Sequence, residues 1–374
     1  MAKAQTILLA GGGTGGHLYP GVSVAEALRE LNPAIKPVFL CTTRDIDRTI
    51  LGNTGFDFIP QPIVPPVKTV AGLIRFWKSW RETLELVQQL LSSDQPFAVL
   101  GLGGYAAGVA VKLAARKKVP AAILNQDVIP GKANRYLLKY VNEVFCQFEE
   151  TRSQVPSAHW SKLLVTGCPI RRDIRSMPTR ESAAARLSLD LKLNTLVVTG
   201  ASQGAQTVNE AVLATLSTLR HQGWQVLHLA GKEHASTVQA RYAEHAIAAR
   251  VVDFTPAMAD VFAVADLVVA RSGASTCAEL TACGLPSILM PYPFHKDMHQ
   301  RANAKVLEDA GAAIILNDEK DAAKNSEKMR PVLELLLFGD AKRRAMADAS
   351  RRLGKPDAAD QVASSLAKYL SVDP

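Results

Sequence analysis

Four segments of this chain set glycines beside small hydroxyl or amide residues where a strand would hand over to a helix: residues 11–17 (GGGTGGH), 101–105 (GLGGY), 200–206 (GASQGAQ) and 272–279 (SGASTCAE). A glycine-rich turn lets backbone N–H groups approach a phosphate, and the helix that follows adds partial positive charge. One such loop is equally well explained by tight packing, but four in one chain favour anion binding. Residues 11–16 fit GxGxxG, the dinucleotide fingerprint. The acidic residue that should end the second strand is missing, because residues 38–42 are followed by Thr43, Arg44 and only then Asp45. Asp45 and Asp47 have a metal-binding spacing, yet they lie in a polar turn and read as a solvated helix cap.

The fourth loop carries the most specific chemistry. Ser275 and Thr276 offer hydroxyls to a diphosphate, while the two oxygens of Glu279 suit the vicinal hydroxyls of a ribose. Thr276 with Glu279 also has the spacing of a capping box, so both readings stand.

These loops need strands to end on. Short β-rich apolar runs at residues 6–10, 38–42, 98–102, 121–125, 143–147 and 163–166 alternate with helical stretches. The pattern restarts at 194–200, 224–230, 250–254, 266–270, 286–290 and 312–316. Such alternation predicts an α/β chain with two Rossmann-like, doubly wound parallel-sheet domains facing a cleft, where ligands meet the strand C-termini. At 374 residues the chain also exceeds the size at which one core usually keeps growing. We place the first domain at 1–170, an arginine-containing connection at 171–193, and the second domain with its closing helices at 194–374.

Lysine and arginine number 43 against 35 acidic residues, which favours phosphates or a membrane surface as partners. No recognition-helix, zinc-finger or aromatic-basic motif points to nucleic acid. No apolar run approaches the roughly 20 residues of a spanning helix, and residues 7–10 are too short for a signal-peptide core, so a cytoplasmic, peripheral protein is expected. Cys41, Cys146, Cys168, Cys277 and Cys283 lack metal-ligand spacing and read as reduced packing residues.

Seven segments in order closely resemble the MurG family: GGGTGGHLYPG (11–21), GLGGYAAG (101–108), NQDVIPGKANR (125–135), TGCPIR (166–171), GASQGAQTVN (200–209), RSGASTCAEL (271–280) and PYPFHKDMHQRANA (291–304). The resemblance covers nearly the whole chain. It implies a GT-B glycosyltransferase architecture and inverting transfer of N-acetylglucosamine from UDP-N-acetylglucosamine to undecaprenyl-linked lipid I, making lipid II, without a metal or other cofactor. Carried onto matching positions, it assigns substrate contacts to Thr14, Gly15, Gly16, Asp127, Arg171, Ser202, Thr255, Ala274, Ser275, Thr276, Cys277, Ala278, Glu279 and Gln300. The chain departs from the family at several places. Asn125 and Asp127 replace a glutamate and a donor-contacting asparagine, Cys168 stands where asparagine is typical, and His299 where glutamine is common. Asp127 would set a carboxylate beside an anionic diphosphate.

Inverting transfer needs a base at the acceptor oxygen and positive potential at the leaving group. His17 follows the first glycine loop at a helix N-terminus, whose field disfavours protonation. It serves either as that base or as a helix cap or backbone partner. Arg171 and the glycine loops would meet the diphosphate, Gln300 the sugar, and Tyr105 and Asn134 the acceptor.

Residues 67–84 (VKTVAGLIRFWKSWRETL) interleave Leu73, Ile74, Phe76, Trp77 and Trp80 with Lys68, Arg75, Lys78 and Arg81. A helix of this composition suits an anionic lipid interface at the cytoplasmic face of the inner membrane, where a lipid-linked acceptor would be found. The alternative is an ordinary core-facing amphipathic helix. For the chain as a whole the alternatives are a diacylglycerol glycosyltransferase, a UDP-N-acetylglucosamine epimerase, or a non-catalytic sugar-nucleotide-binding subunit.

Overall fold

A computed structural model describes residues 5–200, 204–294 and 297–371. The chain forms two compact units, Met1–Arg171 with Pro356–Pro374, and Arg172–Lys355.

In the first unit the order is β1 (Gln5–Gly11), α1 (Gly15–Leu31), β2 (Ile35–Cys41), α2 (Asp45–Gly52), β3 (Asp57–Pro60), α3 (Val70–Ser93), β4 (Ala98–Gly103), α4 (Gly108–Arg116), β5 (Ala121–Asn125), α5 (Lys132–Leu137), β6 (Glu143–Cys146) and β7 (Leu163–Val165). The second continues with α6 (Arg172–Arg175), α7 (Arg180–Leu187), β8 (Asn194–Thr199), α8 (Gln206–Leu216), β9 (Trp224–Leu229), α9 (Ala235–Glu244), β10 (Ala249–Val252), α10 (Met258–Ala263), β11 (Leu267–Ala270), α11 (Ala274–Cys283), β12 (Ser287–Leu289), α12 (His299–Asp309), β13 (Ala313–Ile315), α13 (Ala322–Phe338) and α14 (Asp340–Leu353). Finally α15 (Ala358–Ala367) returns to the first unit.

Both sheets are parallel and doubly wound, in the orders β3-β2-β1-β4-β5-β6-β7 and β10-β9-β8-β11-β12-β13. Their central strands are covered on both faces, which is why β1, β4, β8 and β11 are near-continuous apolar runs. The strand order reverses between β1 and β4 in one sheet and between β8 and β11 in the other. All four glycine loops follow these four strands, so each sheet presents two of them at its topological switch point.

The sequence reading omitted β3, a half-exposed four-residue edge strand bounded by Asp57 and Pro60 that has no apolar run to announce it. It also assigned 194–374 to one domain. The tail instead packs on the first unit, because Ala359, Val362, Ala363 and Leu366 of α15 join the core that contains Ala25 and Leu28 of α1. Ser365 Oγ then donates to the Glu143 carboxylate at 3.0 Å. Helix α7, placed by sequence in the connection, is held to the second unit by Arg180, whose guanidinium pairs with Asp266 at 2.7 Å. The five cysteines form no disulfide, and all but Cys283 are buried.

Inside the second unit His228 of β9 lies 2.8 Å from the Tyr242 hydroxyl and 3.0 Å from Asn209 Oδ1, with Asn209 donating on to the Ala230 carbonyl. Burial pulls the imidazole pKa down to about 3, against about 6.5 in an unfolded chain. Protons therefore favour the unfolded state, and the stabilisation that is complete above pH 6.5 is lost as pH falls toward 3, at about 1.4 kcal/mol per unit. The unfolding midpoint of the second unit should drop steeply across that window. His228→Gln should flatten the slope, and a variant with the parent's slope would contradict this assignment.

Candidate functional site

In the first unit the turn between β1 and α1 is pinned by a carboxylate. Asp47 is fully buried and accepts from Gly13 N at 2.8 and 2.9 Å and from both Thr42 N and Thr42 Oγ1 at 2.8 Å. Its space exists because residue 12 is glycine. A Cβ at Gly12 would lie 2.2 Å from Asp47 Oδ2, and the backbone there has φ of 151°. Asp47 is thus not the solvated cap read from sequence, nor half of a metal pair. Among the described residues no cluster of three His, Cys, Asp or Glu side chains could hold a metal ion.

Held in this way, the loop delivers α1 with Thr14 as its N-cap and no side chain capping the first turn. Thr14 and Gly16 are exposed and Gly15 is half-buried, so this end is open to an anion. Half-buried His17 sits in the first turn, with Nδ1 3.4 Å from the Gly12 carbonyl and 3.3 Å from Thr14 Oγ1. An Nδ1–H donated to Gly12 leaves Nε2 as the acceptor, and the ring packs against both glycines of the second loop: a Cβ at Gly103 would come 3.1 Å from Nε2 and one at Gly104 3.2 Å from Cε1, closer than side chains ordinarily sit. The second glycine loop therefore makes room for this imidazole. Burial lowers the His17 pKa, opposed by the bond to Gly12 and by the charges of Asp127 and Asp47. The sequence argument attributed the lowering to the helix field, but burial is its main source.

Asp127 follows β5, and in the structure its charge acts on His17. Asn125 is buried and braces this loop, donating to the Asp127 carbonyl at 2.7 Å and accepting from Asn134 at 3.1 Å. Asn134 also donates to Leu124 O at 2.9 Å and is itself buried, so it is an internal brace rather than an acceptor-groove residue. Arg171 stacks over Tyr19 of α1, 5.1 Å from guanidinium to ring, and Tyr19 in turn fills the space above Gly15. Its charge is therefore kept beside the first glycine loop.

In the second unit α11 begins at Ala274, with Gly273 as N-cap and no side-chain cap. This removes the capping-box reading, because Thr276 already lies inside the helix. Ala274, Ser275 and Thr276 are half-buried at its mouth. Glu279 is buried on the next turn of the helix. The side chains of Cys277 and Ala278 are packed inside, and Cys277 N–H is donated to Gly273 O at 2.9 Å. Half-buried Thr255 follows β10 and accepts from Ala257 N at 3.1 Å. Gln300 opens α12, its Oε1 accepting from Tyr292 N and its carbonyl accepting from Ser272 Oγ. Ser202 lies outside the described residues.

Residues that the sequence reading missed surround this mouth. Arg271, just before Ser272, donates to the carbonyls of Met290 and Pro291 at 2.9 and 3.2 Å and to Thr207 Oγ1 at 2.8 Å, and it pairs with Asp318 at 2.9 Å. Arg271, Thr207 and Pro291 stand within segments quoted from the sequence but had no role assigned there, and Met290 and Asp318 stand in none of them.

The residues expected at a lipid surface lie on α3. Its buried stripe is Gly72, Ser79, Thr83, Val87 and Leu91, whereas Val70, Leu73, Ile74 and Trp77 form an exposed apolar stripe beside Arg75 and Lys78. Phe76 and Trp80 were expected in the lipid-facing set, but both pack against the core, and Trp80 covers Gly108. No described helix is long and apolar enough to cross a membrane.

Profiles of the glycosyltransferase family 28 N-terminal and C-terminal domains match residues 7–146 and 195–362. A relative from Halothermothrix orenii is 32% identical, covering 94% of this chain and 95% of its own length, and one from Bacillus subtilis is 32% identical over 96% and 98%. Both are named UDP-N-acetylglucosamine--N-acetylmuramyl-(pentapeptide) pyrophosphoryl-undecaprenol N-acetylglucosamine transferase. The chain belongs to the MurG family of family 28 glycosyltransferases. The crystal structure of Acinetobacter baumannii MurG, 24% identical, shares the fold with a TM-score of 0.74, over 97% of this chain and 99% of that one. Within the MurG family, then, this glycosyltransferase keeps the GT-B architecture while bracing its β5 loop with Asn125. It also buries Cys168 at the end of the first unit.

Proposed function

We propose that this chain transfers N-acetylglucosamine from UDP-N-acetylglucosamine to undecaprenyl-linked lipid I, with inversion, as a peripheral protein at the cytoplasmic face of the inner membrane. The reading is carried by the near-full-length match to relatives named for this transfer. The second unit holds the donor: the first turn of α11 and its Ser275 and Thr276 hydroxyls receive the diphosphate, Glu279 accepts from the ribose hydroxyls, and Thr255 and Gln300 contact the rest. Thr14, Gly15, Gly16 and Arg171 add N–H dipoles and a cation for the leaving group, so positive potential is supplied without a metal. His17 Nε2 takes the proton of the acceptor hydroxyl as that oxygen attacks the anomeric carbon and UDP departs.

The acceptor's lipid brings the reaction to a membrane, and the exposed stripe of α3 is the contact. Leu73, Ile74 and Trp77 insert, while Lys68, Arg75 and Lys78 face anionic headgroups. Ile74→Ala with Trp77→Ala should weaken binding to anionic vesicles by about tenfold or more at every salt concentration, with the melting temperature little changed. Arg75→Glu with Lys78→Glu should weaken it chiefly at low salt. Undiminished vesicle binding by the apolar double variant would exclude α3 as the contact.

The function is tested by following UDP release from UDP-N-acetylglucosamine with and without a lipid I analogue. Release that requires the acceptor supports transfer. Acceptor-independent release would mean hydrolysis, and binding without release would mean a non-catalytic subunit.

A further inference from the structure

The sugar-nucleotide reading leaves one buried carboxylate of the second unit without a role. Asp318 lies in the loop after β13, and its side chain is fully buried. One oxygen accepts from Thr207 Oγ1 at 2.5 Å and from Arg271 at 2.9 Å, the other from Asn325 Nδ2 at 3.0 Å and Lys320 N at 2.9 Å. Thr207 is in the first turn of α8. Arg271 leads into α11 and reaches the Met290 and Pro291 carbonyls that begin the approach to α12. Ser272, next to Arg271, donates to Gln300 O in the first turn of α12, and Asn303 donates back to Ser272 O at 3.3 Å. One network therefore ties together the N-termini of three helices, α8, α11 and α12.

We infer that Asp318 is a positioning residue of the donor site: it anchors Arg271, and through Arg271 and Thr207 it fixes the three helix N-termini against one another. This rests on the reading of the second unit as the UDP-sugar site. Two features support it. The Arg271 guanidinium is buried, paired with a carboxylate and committed to two carbonyls and a hydroxyl, so it works as an internal tie and not as a phosphate ligand. The anion must then be met by helix-end N–H groups, whose field depends on where the helices point. A shift of tenths of an ångström at these ends reaches the diphosphate directly.

The experiment compares Asp318→Asn, Thr207→Val and a control, Val238→Ala, which trims a buried side chain of α9 in the same unit. UDP-N-acetylglucosamine affinity, the donor KM, kcat and the melting temperature are measured on the full chain. Asp318→Asn should raise donor Kd and KM by about tenfold with kcat at saturating donor nearly retained, and Thr207→Val should do so to a smaller degree. Val238→Ala should lower the melting temperature without changing donor affinity. Equal donor affinity in parent and Asp318→Asn, or the same loss of affinity in the control at matched destabilisation, overturns the proposal. If Asp318→Asn does not fold, Thr207→Val decides: a raised donor KM supports the anchor and an unchanged one overturns it. A parent protein that fails to bind UDP-N-acetylglucosamine overturns the site reading itself, which is a different result from a parent that binds and a variant that binds equally.

Discussion

His17→Ala is expected to lower kcat by about 10²–10⁴-fold while leaving the affinity for UDP-N-acetylglucosamine nearly unchanged. The size follows from the arrangement. The imidazole is anchored through Nδ1, kept largely neutral by burial, and packed against Gly103 and Gly104, which leaves Nε2 without a proton as the acceptor. Because its pKa is lowered from the ordinary value, the neutral form persists through physiological pH and the acidic limb of kcat/KM should lie below about pH 6.5. Asp127 raises that pKa by its charge, so Asp127→Asn should move the limb to still lower pH. An alanine variant with the parent's turnover would remove His17 from the chemistry, and an unmoved limb in Asp127→Asn would separate the two residues.

Glu279→Ala should weaken donor binding by one to two orders of magnitude, the equivalent of about 1.5–3 kcal/mol for charge-assisted hydrogen bonds to two hydroxyls. Glu279→Gln, which keeps one acceptor oxygen, should fall between. Glu279 does not cap α11, since the helix opens three residues before Thr276 would have to be its N-cap, so no cap is lost in the variant. Calorimetric titration with UDP separates the outcomes: unchanged affinity with a collapsed melting temperature would return Glu279 to a structural role.

What could be seen in the sequence was whatever is written locally. The glycine loops and the strands before them are contiguous patterns, and their recurrence in both halves announced two doubly wound sheets. Contacts that close over long separations left no such signature. Asp47 meets Gly13 across 34 residues, and a DxD spacing in a polar turn gave no hint that one carboxylate would be wholly buried. Asp318 and Arg271 meet only once β13 has been laid beside β12. In α3 the composition showed large apolar residues interleaved with cations. Composition alone did not say that Phe76 and Trp80 sit on the sheet side of the helix and Leu73, Ile74 and Trp77 on the solvent side. The C-terminal helix looked like any amphipathic helix, and only the core that it completes reveals to which unit it belongs.

The central claim is tested most directly by identifying the product formed from UDP-N-acetylglucosamine and a lipid I analogue on the purified chain, in buffer with and without a metal chelator. The account predicts one UDP per lipid-linked disaccharide, a new glycosidic bond of β configuration opposite to that of the donor, and equal yield with chelator. A retained configuration, a yield abolished by chelation, or conversion of the donor to an epimeric UDP-sugar with the acceptor untouched would contradict it.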